Sequence, residues 1–125
     1  MSRKAPRNEF ARLAWATRNS MKGYRRVFAE EAAFRFQVVV LLVLVPLAAW
    51  LARDGLEFAV LAGSWLLVMA AELANSAIEA AIDRIGDEDH ALSAKAKDAG
   101  SALVMTTMII AGLAWAGVLF DRFQG

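Results

Sequence analysis

AGSALVMTTMIIAGLAWAGVLF, residues 99–120, is 22 residues without a charge. A helix of that length spans ~30 Å, the thickness of a bilayer's hydrocarbon core. Inside lipid every backbone polar group needs a partner within the protein, and a helix supplies those partners from its own segment. The stretch therefore predicts a spanning helix over 99–120.

Two more apolar segments precede it. Residues 38–52, VVVLLVLVPLAAWLA, carry no charge, and Ala32, Ala33, Phe34 and Phe36 extend the run to a span over 32–52, with Arg35 and Gln37 near the membrane surface. Pro46 falls inside it and predicts a kink rather than an end, because membrane helices tolerate proline. The second span in chain order, residues 56–82, reads LEFAVLAGSWLLVMAAELANSAIEAAI. Its first half is plainly hydrophobic, and its second half carries Glu72, Asn75 and Glu79. A cleaved leader is not expected, since the first apolar run starts late and two more follow.

Composition agrees. The chain has 125 residues, 58% of them hydrophobic, more apolar side chain than a soluble domain of this size readily hides. Without cysteine, disulfides, thiolate catalysis and zinc–thiolate sites are excluded. The net charge of +1 names no partner, but its distribution does. Nine of the 14 basic residues fall within the first 35 positions: Arg3, Lys4, Arg7, Arg12, Arg18, Lys22, Arg25, Arg26 and Arg35. That block suits an anionic membrane surface or phosphate groups. Nucleic acid is discounted, because the block runs directly into a hydrophobic span.

Lysine and arginine also orient the chain. The N-terminal flank and the 83–98 loop, with Arg84, Lys95 and Lys97, are basic; the first loop has only Arg53 and the tail only Arg122. The positive-inside rule puts the N terminus and the 83–98 loop in the cytoplasm and the C terminus outside. Trp50 and Trp115 then fall near the outer ends of their helices, as headgroup anchors. Over residues 8–30 a helical wheel gathers Phe10, Leu13, Thr17, Met21, Tyr24 and Phe28 on one face, with Arg12, Arg18, Asn19, Lys22 and Arg26 over the other. This pattern predicts a surface helix lying in the interface; a soluble helix packed on the protein is the alternative. Gly23 is a candidate bend.

The chemistry lies on the second span. Glu72, Asn75, Ser76, Glu79 and Asp83 share one helical face, with Glu72 and Glu79 about 10 Å apart along the axis. Acidic side chains at membrane depth are expensive, ~2.5–3.5 kcal/mol for a central Asp on insertion scales. They are tolerated when they pair, bind a cation or line a wet cavity. A divalent cation with oxygen ligands, magnesium carried by a nucleotide, suits a cavity open to the cytoplasm. A buried network that only specifies helix packing is the alternative. Glu31, where the surface helix meets the first span, and Asp98, where the loop enters the third, can approach. The loop also offers Glu88, His90, Lys95 and Lys97. No phosphate-binding loop or soluble-kinase motif is present, so the residues alone give a cation-binding carboxylate site and name neither ATP nor lipid.

The run ELANSAIEAAIDRIGDEDHALSAKAKDAGSA, residues 72–102, resembles the signature of prokaryotic diacylglycerol kinases, and EEAAFR, residues 30–35, resembles the same family's motif before the first span. The resemblance covers roughly residues 10–120. It implies an all-α membrane protein, an N-terminal amphipathic surface helix plus three transmembrane helices assembled as a homotrimeric bundle. The implied enzyme transfers the ATP γ-phosphoryl group to diacylglycerol, making phosphatidic acid at the inner membrane of a bacterium. By that resemblance Glu72 is the general base, and Glu31 and Glu79 hold the Mg2+ on ATP. The implied nucleotide contacts are Arg12, Asn19, Glu31, Asn75, Glu79, Glu88, Asp89, His90, Lys97 and Asp98. The implied lipid contacts are Arg12, Ser20, Arg25, Phe34, Arg35, Glu72 and Ser101. The sequence departs from the family pattern at Asn19 and Met21, where aromatics are common, at Asp89, where a tyrosine is common, and at Lys95, which replaces an arginine.

An undecaprenol kinase of the same fold is the nearest rival; the N-S-A-I-E form and the D-R-I-G loop lean towards diacylglycerol. A small oligomeric ion or drug transporter would also use a membrane glutamate, yet needs no second carboxylate cluster at Glu31 and Asp98. A non-catalytic membrane subunit would not need the intact acid set. Small residues at Ala59-x-x-x-Gly63 and Gly112-x-x-x-Ala116 offer close-approach faces for neighbouring copies.

Overall fold

Four helices carry nearly all of residues 4–124, the part of the chain that the computed structural model describes: α1 (Glu9–Glu30), α2 (Ala32–Leu51), α3 (Gly55–Ile85) and α4 (Ala91–Gln124). Arg3, the first residue of the basic block, lies outside the described residues. The chain divides into two units, Met1–Arg35 and Phe36–Gly125, so α2 begins in the first and continues through the second.

The helix boundaries have local chemical causes. Asn8 caps α1, its Oδ1 accepting the Phe10 N–H at 2.9 Å. Asp54 caps α3 by accepting from the Glu57 N–H at 2.8 Å, and the Glu57 carboxylate reaches back to the Arg53 N–H at 2.7 Å. Side-chain oxygens thus satisfy first-turn donors that have no helical partner. Between α1 and α2 the backbone of Glu31 is extended, with φ −122° and ψ 117°. The Arg35 guanidinium then donates to the carbonyls of Phe28 and Ala29, at 2.8 and 3.0 Å. A cation on the last carbonyls of α1 complements that helix's negative end. Gly23 and Pro46 interrupt neither helix; Pro46 lacks an N–H, which leaves the Leu42 carbonyl without its helical donor.

α2, α3 and α4 are each long and apolar enough to cross a membrane. α3 contributes the largest share of buried residues and packs along α4. At one end of the second unit Ala48, Leu51 and Leu61 form a closed apolar cluster with Phe58, Trp115, Val118 and Leu119 against it. The Trp115 indole N–H donates to the Leu61 carbonyl at 3.2 Å. That bond ties α4 to α3, whereas Trp50 is exposed.

Helix lengths depart from the apolar runs. The sequence predicts a loop over 83–98, but α3 continues to Ile85 and α4 starts at Ala91, leaving only residues 86–90 between them. Hydropathy marks what lipid can solvate, and ALSAKAKD, residues 91–98, is polar but made of good helix formers.

Candidate functional site

Glu72 lies on the inward face of α3, 8% exposed. Opposite it on α2 is Gln37, 3% exposed, whose Nε2 donates to Glu72 Oε2 at 3.1 Å. The Gln37 backbone carbonyl accepts the Trp65 indole N–H at 2.9 Å, which pins this part of α2 to α3. The buried carboxyl therefore faces a neutral amide rather than a cation.

Glu72, Asn75 and Ser101 line one pocket of about 330 Å³ together with Val104, Met105 and Met108. One turn further along α3, Asn75 Nδ2 donates to Glu79 Oε1 at 3.3 Å. The helix periodicity that places Glu72, Asn75 and Glu79 on one face is thus realised. Asn75 has its room because residue 100 is glycine: a Cβ on Gly100 would collide with the Asn75 side-chain oxygen. Gly63 and Gly112, the glycines of the two small-residue motifs, face open space within the chain. The close approach of α3 and α4 is made at Gly100 instead.

A second cleft, about 670 Å³, opens where α3 meets α4. Asp83, Asp87, Glu88, Asp89, His90 and Lys97 line it. Lys97 Nζ bonds Asp83 Oδ1 at 2.8 Å across the two helices. His90 is the N-cap of α4, its Nδ1 accepting the Leu92 N–H at 3.0 Å. Accepting there places the neutral ring's proton on Nε2. Asp98 is exposed and lies outside that lining.

The first unit holds the remaining candidates. Asn19 and Arg25 line a cleft of about 620 Å³ with Lys22 and Arg26. Arg12 pairs with Glu9 at 3.2 Å. Ser20 is exposed, Phe34 buried and Arg35 half-buried over the α1 carbonyls. Glu31 occupies the extended junction between α1 and α2.

Among the described residues no three His, Asp or Glu side chains gather as a metal-holding group. A cation delivered with a nucleotide takes one or two carboxylates and completes its shell with phosphate oxygens and water. Glu79 is half-buried and accepts a hydrogen bond from Asn75. Gln37 and Gly100 are the site residues the sequence reading passes over. Gln37 had a faint signal, a polar side chain at the edge of an apolar run; Gly100 had none.

The family model for prokaryotic diacylglycerol kinase matches residues 18–119. The diacylglycerol kinase of Escherichia coli (strain K12) is 45% identical over 114 residues, covering 91% of this chain and 93% of the relative. That of Haemophilus influenzae is 44% identical over 105 residues, covering 84% and 89%. That of Pseudomonas aeruginosa is 41% identical over 108 residues, covering 86% and 88%.

Proposed function

The chain belongs to the prokaryotic diacylglycerol kinase family, and from that membership we propose that it transfers the γ-phosphoryl group of MgATP to the free hydroxyl of diacylglycerol, giving phosphatidic acid and ADP, at the cytoplasmic face of a bacterial inner membrane. It is a membrane enzyme with three apolar helices. The observation that carries the mechanism is Glu72: a buried carboxyl in an apolar helix, held by an amide, lining a pocket whose α4 wall is largely Val and Met.

Glu72 takes the proton of the acceptor hydroxyl as its oxygen bonds to the γ-phosphorus and the bond to the β-phosphate oxygen breaks. Phosphoryl transfer asks the protein mainly for positioning and charge neutralisation. Glu31 and Glu79 would hold the Mg2+ of MgATP as hard oxygen donors, and the cation would supply charge neutralisation for the phosphates, with Asn75 orienting Glu79. Glu88, Asp89, His90 and Lys97 receive the nucleotide at the α3–α4 cleft, and Arg12, Asn19 and Asp98 are the further nucleotide contacts that family membership implies. Arg12, Ser20, Arg25, Phe34, Arg35 and Ser101 border the lipid. α1, with Phe10, Leu13, Met21, Tyr24 and Phe28 all exposed, lies in the interface as a surface helix. The basic N-terminal flank favours a cytoplasmic N terminus and a periplasmic C terminus. Three copies form a homotrimer, the open faces at Gly63 and Gly112 allowing close approach of neighbours.

The test offers the full-length protein in mixed micelles MgATP with diacylglycerol and with undecaprenol separately. Phosphatidic acid is the expected product, and preferential phosphorylation of undecaprenol overturns the acceptor assignment. Glu72→Gln keeps shape and removes basicity, so kcat should fall at least about 10²-fold while the KM for MgATP stays within about twofold. Retention of a tenth or more of wild-type kcat rejects Glu72 as the base.

A further inference from the structure

The Gln37 amide presents two groups to the interior, and only one is used. Nε2 donates to Glu72 Oε2 at 3.1 Å, while Oε1 is buried without a hydrogen-bond partner. Native structures rarely leave a buried acceptor so, because desolvation of the group is then uncompensated. A half-turn about the last side-chain torsion of Gln37 exchanges the two groups at little torsional cost. A carboxylate accepts and a protonated carboxyl also donates, so the amide has a matching partner for each form of Glu72.

We propose that Gln37 is the positioning residue for the catalytic base, its amide holding Glu72 as a carboxylate through Nε2 and as a carboxylic acid through Oε1. The proposal rests on the reading of Glu72 as the general base. Before transfer Nε2 steadies the anion. After Glu72 has taken the hydroxyl proton, its O–H turns to Gln37 Oε1, and the proton leaves to water when the product departs. A lysine or arginine at position 37 would pair with the anion and hold it unprotonated, whereas a second carboxylate would oppose it. The glutamine backbone is fixed for this task by the bond from Trp65.

Gln37 is the hydrogen-bonding partner that Glu72 meets from α2. From α4 the groups lining the pocket with Glu72 are Ser101, Val104, Met105 and Met108, none of which ionises. From α2 the partner is Gln37 itself. Along α3 the next carboxyl on the face is Glu79, engaged by Asn75.

Gln37→Met removes both groups at nearly constant volume, and Gln37→Glu replaces the amide with a carboxyl. Each full-length variant is assayed for kcat against pH with MgATP and diacylglycerol in mixed micelles. In parallel, the Glu72 carboxyl stretch is titrated by infrared difference spectroscopy and identified by subtraction of Glu72→Gln. In Gln37→Met both forms of Glu72 lose their partner, but the charge-assisted bond to the anion is the stronger of the two, so the acid limb and the infrared midpoint should both move up by about one pH unit. At the alkaline end kcat should recover to within about threefold of wild type. Gln37→Glu should move both further in the same direction. A pH-independent loss of kcat, or an unchanged infrared midpoint in Gln37→Met, overturns the proposal. The infrared arm needs no turnover, so it decides the Gln37–Glu72 pairing even if wild-type protein fails to phosphorylate diacylglycerol and the functional reading falls.

Discussion

The two ends of the three-helix unit are built on opposite terms. At one end Ala48 and Leu61 are fully buried and Leu51 nearly so, with Phe58, Trp115, Val118 and Leu119 closing over them. At the other, Glu72 and Gln37 are buried, Asn75 and Glu79 are half-buried, and Asp83, Lys97 and Asp98 are exposed. The apolar end is finished within one chain. The polar end joins α2, α3 and α4 through directional bonds and leaves its pockets open. Stability and chemistry are thereby separated along the helix axes, so a substitution at one end should register in one measurement and hardly in the other.

The largest expected effect tests the closed end. Leu61 has no exposed surface, and Leu61→Ala would leave a cavity where α2, α3 and α4 meet. Such truncations cost about 2–5 kcal/mol, so unfolding in detergent micelles, followed by circular dichroism, should shift strongly to lower temperature. The KM for MgATP, measured below that transition, should stay within about twofold. A large rise in KM would break the separation.

Gly100→Ala sharpens it from the other side. In a helix interior Ala is favoured over Gly by about 0.5–1 kcal/mol, so the substitution should be neutral or stabilising by propensity. Here the added methyl strikes the Asn75 side chain and turns it from Glu79. A hydrogen bond to a charged group is worth about 1.5–3 kcal/mol, and kcat/KM for MgATP should fall about tenfold at almost unchanged thermal stability. Equal kcat/KM in variant and wild type would show that Asn75 does not steady Glu79.

What could be read from the sequence follows the range of the interactions. The three spans are local properties of apolar runs, and the face shared by Glu72, Asn75 and Glu79 follows from 3.6-residue periodicity. Gln37 and Gly100 escaped because their partners lie on other helices: Gln37 meets Glu72 across 35 positions of sequence, and Gly100 meets Asn75 from α4. No periodicity within one segment encodes such a meeting. Trp115 misled for the same reason, since an indole near a helix end looks alike whether it faces headgroups or the Leu61 carbonyl. The start of α4 at Ala91 was hidden because hydropathy is blind to a polar helical end.

The smallest effect is expected at Asp83, and it tests how far the polar end's organisation extends. Asp83 Oδ1 and Lys97 Nζ are 2.8 Å apart, but their side chains are 67% and 46% exposed. Water and salt screen such a pair, and ordering two mobile side chains offsets much of what attraction remains. Asp83→Asn should therefore leave the thermal transition unchanged. Lys97 is the proposed nucleotide contact, and the pair draws it towards α3 before the nucleotide arrives. Releasing it should change the KM for MgATP by less than about threefold, with the difference shrinking as salt is raised. A tenfold, salt-insensitive rise would mean that Asp83 holds Lys97 in a geometry the nucleotide requires. The organised site would then extend from the buried Glu72 pocket into the exposed cleft, and Asp83 would rank with Asn75 rather than with the surface pairs.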